Sequence, residues 1–139
     1  MKPLYLIACS NKKLDRPAKG RDLYQGQAFK FALRASERAE ADVIILSALH
    51  GVVMPYAQYA PYDKALCNMT KAERAEWAEI VQAQLRMLGA YDREITVLAG
   101  ADYAKAVEGF PNVRLPLKGQ GIGQQLQTLK HLGELPCQD

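Results

Sequence analysis

Apolar residues occur along this chain in short uninterrupted runs rather than in an alternating pattern. Such runs are typical of strands that are buried on both faces of a sheet. Four of them are present, the last weaker than the others, at residues 3–9, 42–48, 94–99 and 112–116. We therefore predict four buried strands.

Between these runs the apolar residues follow helical spacing, which predicts helices over residues 24–39, 70–88 and 101–107 and a last helix patterned by Ile122, Leu126 and Leu129. The clearest is 70–88, because Thr70 and Glu73 have the spacing of a capping box. An apolar stripe follows this box, as expected for a helix packed on a core. The stripe consists of Trp77, Ile80, Val81, Leu85 and Leu88.

Strands and helices alternate through the whole chain, which indicates parallel strands joined by right-handed crossovers. We predict an α/β fold in which residues 1–139 form a single three-layer, Rossmann-like domain. The sheet is expected to be mainly parallel, with four or five strands and helices on both faces. The simplest order of the four predicted strands is 2-1-3-4.

Length and composition exclude several classes of protein. The chain has 139 residues, of which 49% are hydrophobic and 24% charged, so it can bury a core without disulfides. No apolar run approaches the roughly 20 residues of a membrane-spanning helix, and the first run is too short for a signal peptide. We therefore expect a protein without a membrane partner.

The cysteines and the charges refine this prediction. Three scattered cysteines suit a reducing cytoplasm. The absence of Cys-x-x-Cys and the 81 positions between His50 and His131 argue against a zinc site. Residues 1–38 hold nine Lys and Arg against three Asp and Glu, a net charge of +6, whereas the remainder is net −3. This asymmetry fits either a solvated surface or a partner that carries phosphate.

Ligands of open parallel sheets bind outside the carboxyl ends of the strands, near the point where the strand order reverses. The loops after the four predicted strands are rich in groups that form hydrogen bonds, carry charge or let a backbone come close. The predicted ligand-binding residues of these loops and their surroundings are Ser10, Lys12, Lys13, Tyr24, Ser47, Gly51, Tyr62, Gly100, Tyr103, Gly119, Gly121 and Gly123.

Cys9 ends the first predicted strand. Free cysteines are often simply buried, so packing is one interpretation. The nearby Lys12 and Lys13 favour a thiolate, so a catalytic role is the other. The two lysines are themselves either solvated or placed to contact a phosphate.

Residues 50–69 show no clear periodicity, and a loop of this length in a small domain is usually functional. His50 and Asp63 join Cys9 as candidate catalytic residues, because histidine changes charge near neutral pH and a carboxylate serves acid–base chemistry. A structural role for His50 is the alternative. Asp102 is the other acid expected near the strand ends. The tyrosines of the loop either stack on a base or cover the core.

The turn at residues 119–123 reads Gly-Gln-Gly-Ile-Gly and opens the last predicted helix. Its backbone N–H groups can hold an anion that the glycines allow to come close. A tight turn that needs positive φ is an equally weighted alternative. The spacing is not a dinucleotide fingerprint and no Walker lysine is present, so we expect no bound cofactor.

Five segments, taken together, resemble a family of small, largely uncharacterised bacterial and phage proteins. That family has the pattern Cys-Ser-x-x-Lys, Leu-Tyr-x-x-x-x-Phe, Ile-Leu-Ser-Ala-x-x-Gly-Leu and Pro-Tyr-Asp. The resemblance covers nearly the whole chain and implies a fold more than a reaction. The segments that carry it are residues 8–13, 22–29, 45–52, 60–63 and 119–123.

Two more distant families are similar in their opening motif. The peroxide-stress protein YaaA family, which has been linked to DNA binding, has a similar Cys-Ser-x-x-Lys opening. The core domain of archaeosine synthase attaches an amine to a deazaguanine base in RNA, and its Cys, Lys and Tyr align with Cys9, Lys13 and Tyr24. Ten residues separate Lys13 from Tyr24 where that motif has one. Its Pro, Ser and His are replaced by Ala8, Gly26 and Phe29.

These observations predict a transferase or hydrolase that acts on a nucleotide or nucleobase, at a base substituent or at the N-glycosidic carbon. The phosphate is expected over Ser10, the lysines and the glycine turn, and the base against Tyr24 and Tyr62. The hypothesis requires Cys9 and Gly121 to face a common hollow. The alternatives are a non-catalytic DNA- or RNA-binding domain that uses the basic first third, and a nucleotide-sensing or partner-binding domain that uses the same crevice.

Overall fold

The computed structural model describes residues 2–134 and has an α/β fold. Its strands are β1 (Leu4–Ala8), β2 (Ala18–Lys19), β3 (Asp42–Ser47), β4 (Gly51–Val53), β5 (Gln58–Tyr59), β6 (Ile95–Leu98) and β7 (Val113–Arg114). Its helices are α1 (Gly20–Leu23), α2 (Gln27–Arg38), α3 (Lys71–Met87), α4 (Ala101–Ala104) and α5 (Ile122–Glu134). Two 3-10 turns span Leu66–Asn68 and Lys105–Val107.

The central sheet has five strands in the order β4-β3-β1-β6-β7. All neighbouring pairs are parallel except β3 and β4, which are antiparallel. β1 lies at the centre, where Leu6 pairs with Ile44 on one side and with Val97 on the other. The predicted order of the four parallel strands is confirmed, and β4 adds an antiparallel edge strand that the sequence pattern did not predict.

Helices cover both faces of the sheet, as predicted. Because alternate residues of a strand face opposite sides, Leu6 of β1 packs towards Trp77 of α3, while Ile7 packs towards Phe29 of α2 and Leu129 of α5. Each face therefore has its own apolar cluster, which explains why the strand sequences are apolar at nearly every position.

The helix predictions were accurate in type and less accurate in detail. Thr70 and Glu73 form the predicted capping box at the start of α3. The predicted apolar stripe is only partly buried, because Ile80 and Leu88 are each 51% exposed. α2 begins at Gln27 rather than at residue 24, because Tyr24 is extended and forms a β-bridge with Lys13.

The long segment 50–69 is more ordered than its lack of periodicity indicated. Gly51, with a φ of 73°, reverses the chain after β3 and begins β4. Further along, β5 pairs with β2, where Ala18 lies opposite Tyr59. Pairings of two or three residues are too short to produce a sequence period, and so only the tertiary structure reveals them.

Candidate functional site

A crevice of about 420 Å³ lies at the carboxyl ends of β1 and β6. β1 is flanked by β3 and β6, so the strand order reverses here, as expected for a ligand site in a sheet of this kind. Of the predicted site residues, the crevice is lined by Cys9, Ser10, Gly100 and Tyr103, together with the acid Asp102.

Cys9 follows β1 directly, and its backbone N–H donates to the carbonyl of Leu46 at 2.9 Å, which extends the strand pairing by one residue. The half-buried thiol lies 3.7 Å from the hydroxyl of Tyr103. The Tyr103 ring is held edge-on against Trp77, with the ring centroids 5.7 Å apart. Packing by α3 therefore positions the hydroxyl that the thiol meets.

Burial raises the pKa of Tyr103, and the negative charge of a Cys9 thiolate raises that pKa further. The Tyr103 hydroxyl consequently keeps its proton at neutral pH. A protonated phenol next to a thiol can donate a hydrogen bond to the thiolate form. The structure thus places the Tyr103 hydroxyl within hydrogen-bonding distance of the Cys9 sulfur.

Ser10 has a structural task as well as a position in the crevice. Its Oγ donates to the carbonyl of Lys12 at 2.7 Å and accepts from the backbone N–H of Gly26 at 3.1 Å. A Cβ at Gly26 would lie 2.8 Å from the Ser10 Cβ, so only glycine allows this close approach. The contact fixes the loop after β1 against the start of α2. Lys12 itself is exposed.

Tyr24, Tyr62 and Ser47 form a chain of hydroxyl groups beside the crevice. Ser47 Oγ accepts from the backbone N–H groups of Leu49 and His50 at 3.2 and 3.1 Å. The Ser47 hydroxyl therefore donates its hydrogen bond to Tyr62 Oη, 2.5 Å away. Tyr62 then donates to Tyr24 Oη at 2.7 Å. The backbone of the turn after β3 thus sets the direction of the whole chain.

This cluster changes the expected role of the tyrosines. Tyr24 is 1% exposed and packs on Phe29 and Tyr62, so it has no free ring face on which a base can stack. The ammonium of Lys13 lies 4.3 Å from the centre of the Tyr62 ring. Burial raises the pKa of both Tyr24 and Tyr62, and a nearby Cys9 thiolate raises both further. The cluster therefore stays neutral at neutral pH.

His50 and Gly51 are not among the residues that line the crevice. His50 packs edge-on against Tyr62, with ring centroids 5.3 Å apart, and lines a separate cavity of about 240 Å³. Gly51 is buried beneath Gln84, whose side chain accepts from the N–H of Val52 at 2.9 Å. The structure therefore gives Gly51 a packing role, because a side chain there would strike Gln84.

Asp63 is exposed on the segment after Tyr62 and is not among the residues that line the crevice. The acid that does line it is Asp102, on α4. Arg74 of α3 lies 3.9 Å from the Asp102 carboxylate and also donates to the carbonyl of Met69 at 2.7 Å. Sequence position alone did not distinguish the two acids, since both follow predicted strands or turns.

The glycine turn lies at the edge of the crevice rather than inside it. Ile122 and Gln125 line the crevice, whereas Gly119 and Gln120 line a neighbouring cavity. Gly119 has a φ of 79°, so the alternative of a turn that needs positive φ applies to this residue. Cys9 therefore shares the crevice with Ile122, the residue that follows Gly121. Gly121 and Gly123 are exposed.

Cys67 is a residue of the crevice that the sequence analysis did not select. It is exposed on the 3-10 turn Leu66–Asn68 and lines the crevice with Cys9. A signal was present, because Cys67 falls in the segment 50–69 whose length already indicated function. Cys137 lies outside the described residues.

Fold and crevice together define an α/β protein with a thiol at the switch point of its sheet. Residues 4–131 match a family of unknown function, DUF6884, and the chain belongs to that family. The predicted resemblance to an uncharacterised domain family is therefore confirmed at this level. No curated protein matches the chain.

Two further findings concern residues 2–134. None of the helices described there is long and apolar enough to cross a membrane. Within the same residues, no group of three or more His, Cys, Asp and Glu side chains is arranged to hold a metal ion.

Proposed function

We propose that this protein is an enzyme that acts on a nucleobase, free or within a nucleotide, with Cys9 as the nucleophile. The observation that carries the proposal is the convergence of Cys9, Asp102 and Tyr103 on one crevice at the switch point of the sheet. Nucleotides bind at this point in many α/β proteins.

The size of the crevice supports a small ligand. Its volume of about 420 Å³ lies within the usual range of small-molecule sites. Apolar residues such as Leu66, Leu98 and Phe29 line it together with the polar groups, which suits a flat ring with polar edges. The similarity of the Cys9 motif to archaeosine synthase, which modifies a base, favours the base as the group that reacts.

In the proposed reaction the Cys9 thiolate adds to an electron-poor ring carbon of the base. A carbon–sulfur bond forms, and the electron pair of the ring double bond moves to the adjacent ring atom, which takes up the proton that Asp102 has removed from the Cys9 thiol. Tyr103 holds the thiolate before the attack through its hydroxyl. Asp102 takes the acid–base role that the sequence analysis considered for Asp63.

Ligand binding is tested by protection of Cys9 from alkylation. The variant Cys67→Ser/Cys137→Ser leaves Cys9 as the only thiol, because the chain has three cysteines. Iodoacetamide is added with and without each common nucleobase, nucleoside and nucleoside monophosphate, and the rate is followed by intact-protein mass spectrometry. We expect at least one of these compounds to slow the alkylation of Cys9.

Catalysis is tested by incubating the protein with the same compounds and analysing products by liquid chromatography and mass spectrometry. Cys9→Ser should lower the rate at least about 10³-fold, because it removes the nucleophile. Asp102→Asn should also lower it, whereas Asp63→Asn serves as the control with an exposed carboxylate. Full activity of Cys9→Ser, or loss of activity in Asp63→Asn alone, would contradict the proposal.

A second candidate is non-catalytic binding of nucleic acid. α2 carries Lys30, Arg34 and Arg38 at intervals of four residues, so these cations follow one face of the helix. Binding through phosphate contacts falls steeply as salt rises. Fluorescence anisotropy with labelled single- and double-stranded oligonucleotides at several salt concentrations tests this candidate. Binding that is absent, or insensitive to salt, would eliminate it.

A further inference from the structure

A second cavity, of about 510 Å³, lies beside the Cys9 crevice. α4 and the 3-10 turn Lys105–Val107 line it, as do β7 and the glycine turn. Four residues line both the cavity and the crevice, namely Ala99, Ala101, Leu117 and Gln125. The two spaces are therefore separate but adjoining.

The lining of this second cavity combines buried apolar residues with exposed charged groups. Val107, Phe110 and Leu117 are buried and provide the apolar part. The exposed charged groups are Lys105, Lys118 and a single acid, Glu108. Among residues 2–134, neither lysine takes part in an ion pair. Both ammonium groups are consequently available to an anion that enters the cavity.

The glycine turn forms part of the cavity wall through Gly119 and Gln120. Positive φ requires a glycine at Gly119. Gly121 and Gly123 have no positive φ, and a Cβ on either would meet nothing within 4 Å. This differs from Gly26, where a Cβ would approach Ser10 closely. Gly121 and Gly123 do not line the cavity, so the turn borders the cavity through Gly119 and Gln120.

We propose that the second cavity is a ligand site for a small molecule that joins an apolar body to an anionic group. The apolar body packs on Phe110, Val107 and Leu117. The anionic group lies at Lys105 and Lys118, with the glycine turn beside it. A volume of about 510 Å³ suits a molecule of this kind. The site involves no thiol, and so it is independent of the function proposed for Cys9.

The test uses 1-naphthyl phosphate as the probe, with neutral 1-naphthol and inorganic phosphate as its two halves. Amide chemical shifts of the 15N-labelled full chain are recorded during titration with each compound. We expect 1-naphthyl phosphate to shift the amides of Val107, Phe110, Gly119 and Gln120. We expect it to bind about tenfold more tightly than 1-naphthol, since a hydrogen bond to a charged group contributes about 1.5 kcal/mol or more.

Variants identify the groups that hold the anion. Lys105→Ala and Lys118→Ala should each lower the affinity for 1-naphthyl phosphate by about tenfold and leave the affinity for 1-naphthol unchanged. Lys71→Ala, at the exposed start of α3, is the matched control and should change neither affinity. The spectrum of each variant reports directly whether it is folded. Equal affinity for the ester and 1-naphthol, shifts confined to the Cys9 crevice, or no shift at millimolar probe would overturn the proposal.

Discussion

At the scale of single residues, the most constrained groups are the hydroxyls of Ser47, Tyr62 and Tyr24. Two backbone N–H groups occupy the acceptor positions of Ser47 Oγ, which obliges that hydroxyl to donate to Tyr62. A buried polar group that loses its partner costs free energy, whereas a fully satisfied network specifies one arrangement. Tyr62 is the central member and therefore the most sensitive one.

Replacing Tyr62 by Phe should lower the free energy of unfolding by about 1–3 kcal/mol, because the buried Ser47 proton then has no acceptor. Urea denaturation measures this change. Tyr56→Phe is the matched control, since Tyr56 is 68% exposed and its hydroxyl accepts from Arg21 at the surface. A change within about 0.5 kcal/mol is expected for this surface control. Equal effects of the two variants would show that the hydroxyl chain contributes nothing to stability.

At the scale of elements, the turn between β3 and β4 connects the sheet to α3. Gln84 of α3 accepts from the Val52 N–H and donates to the His50 carbonyl at 3.3 Å. Trp77 of the same helix donates to the carbonyl of Ser47 at 2.9 Å. α3 therefore holds the backbone that in turn orients the hydroxyl chain, and a Cβ on Gly51 would meet the Gln84 side chain of this helix.

Gly51→Ala should destabilise the fold by at least about 2 kcal/mol, because the residue has positive φ and its new Cβ would strike Gln84. Gly121→Ala is the matched control, with no positive φ and no neighbour within 4 Å of a Cβ. Its effect on the free energy of unfolding should stay within about 0.5 kcal/mol. Similar urea midpoints for both variants would be inconsistent with this account of the turn.

At the scale of the whole molecule, the topology gathers tyrosines from three distant segments around Cys9. Tyr24 precedes α2, Tyr62 follows β5 and Tyr103 belongs to α4. Burial is the largest cause of the raised pKa of each, and a Cys9 thiolate raises all three further. Their ionisation is therefore coupled to the stability of the entire fold.

Stability should fall as the pH rises above about 10, the ordinary pKa of tyrosine. Above this pH the unfolded chain loses phenol protons that the folded protein still holds, so the contribution present at lower pH is lost. Urea midpoints measured between about pH 8 and 11 test this. The stability of Tyr103→Phe should decline less steeply with pH than that of the unmodified protein, because the variant lacks one buried phenol. The lysines titrate equally in both proteins and do not contribute to the difference. Identical declines would contradict the coupling.

The sequence predicted more of the fold than of the site. The continuous apolar run in residues 3–9 indicated a strand buried on both faces, and Leu6 and Ile7 indeed serve opposite clusters. The capping box of Thr70 was readable because it involves neighbours three residues apart. The sequence did not predict β4 or the pairing of β2 with β5, because these pairings are short and the partners lie elsewhere in the chain.

What the sequence by itself determined is the four parallel strands, their order and the end of the sheet at which Cys9 stands. Local spacing carries that information, because burial on a strand or helix repeats along the chain. Only the tertiary structure decided that Cys9 meets Tyr103, 94 positions away, that Asp102 rather than Asp63 lines the crevice, and that the glycine turn borders two cavities. Contacts between residues so far apart in the sequence depend on how the crossover helices pack on the sheet. No local sequence pattern predicts them.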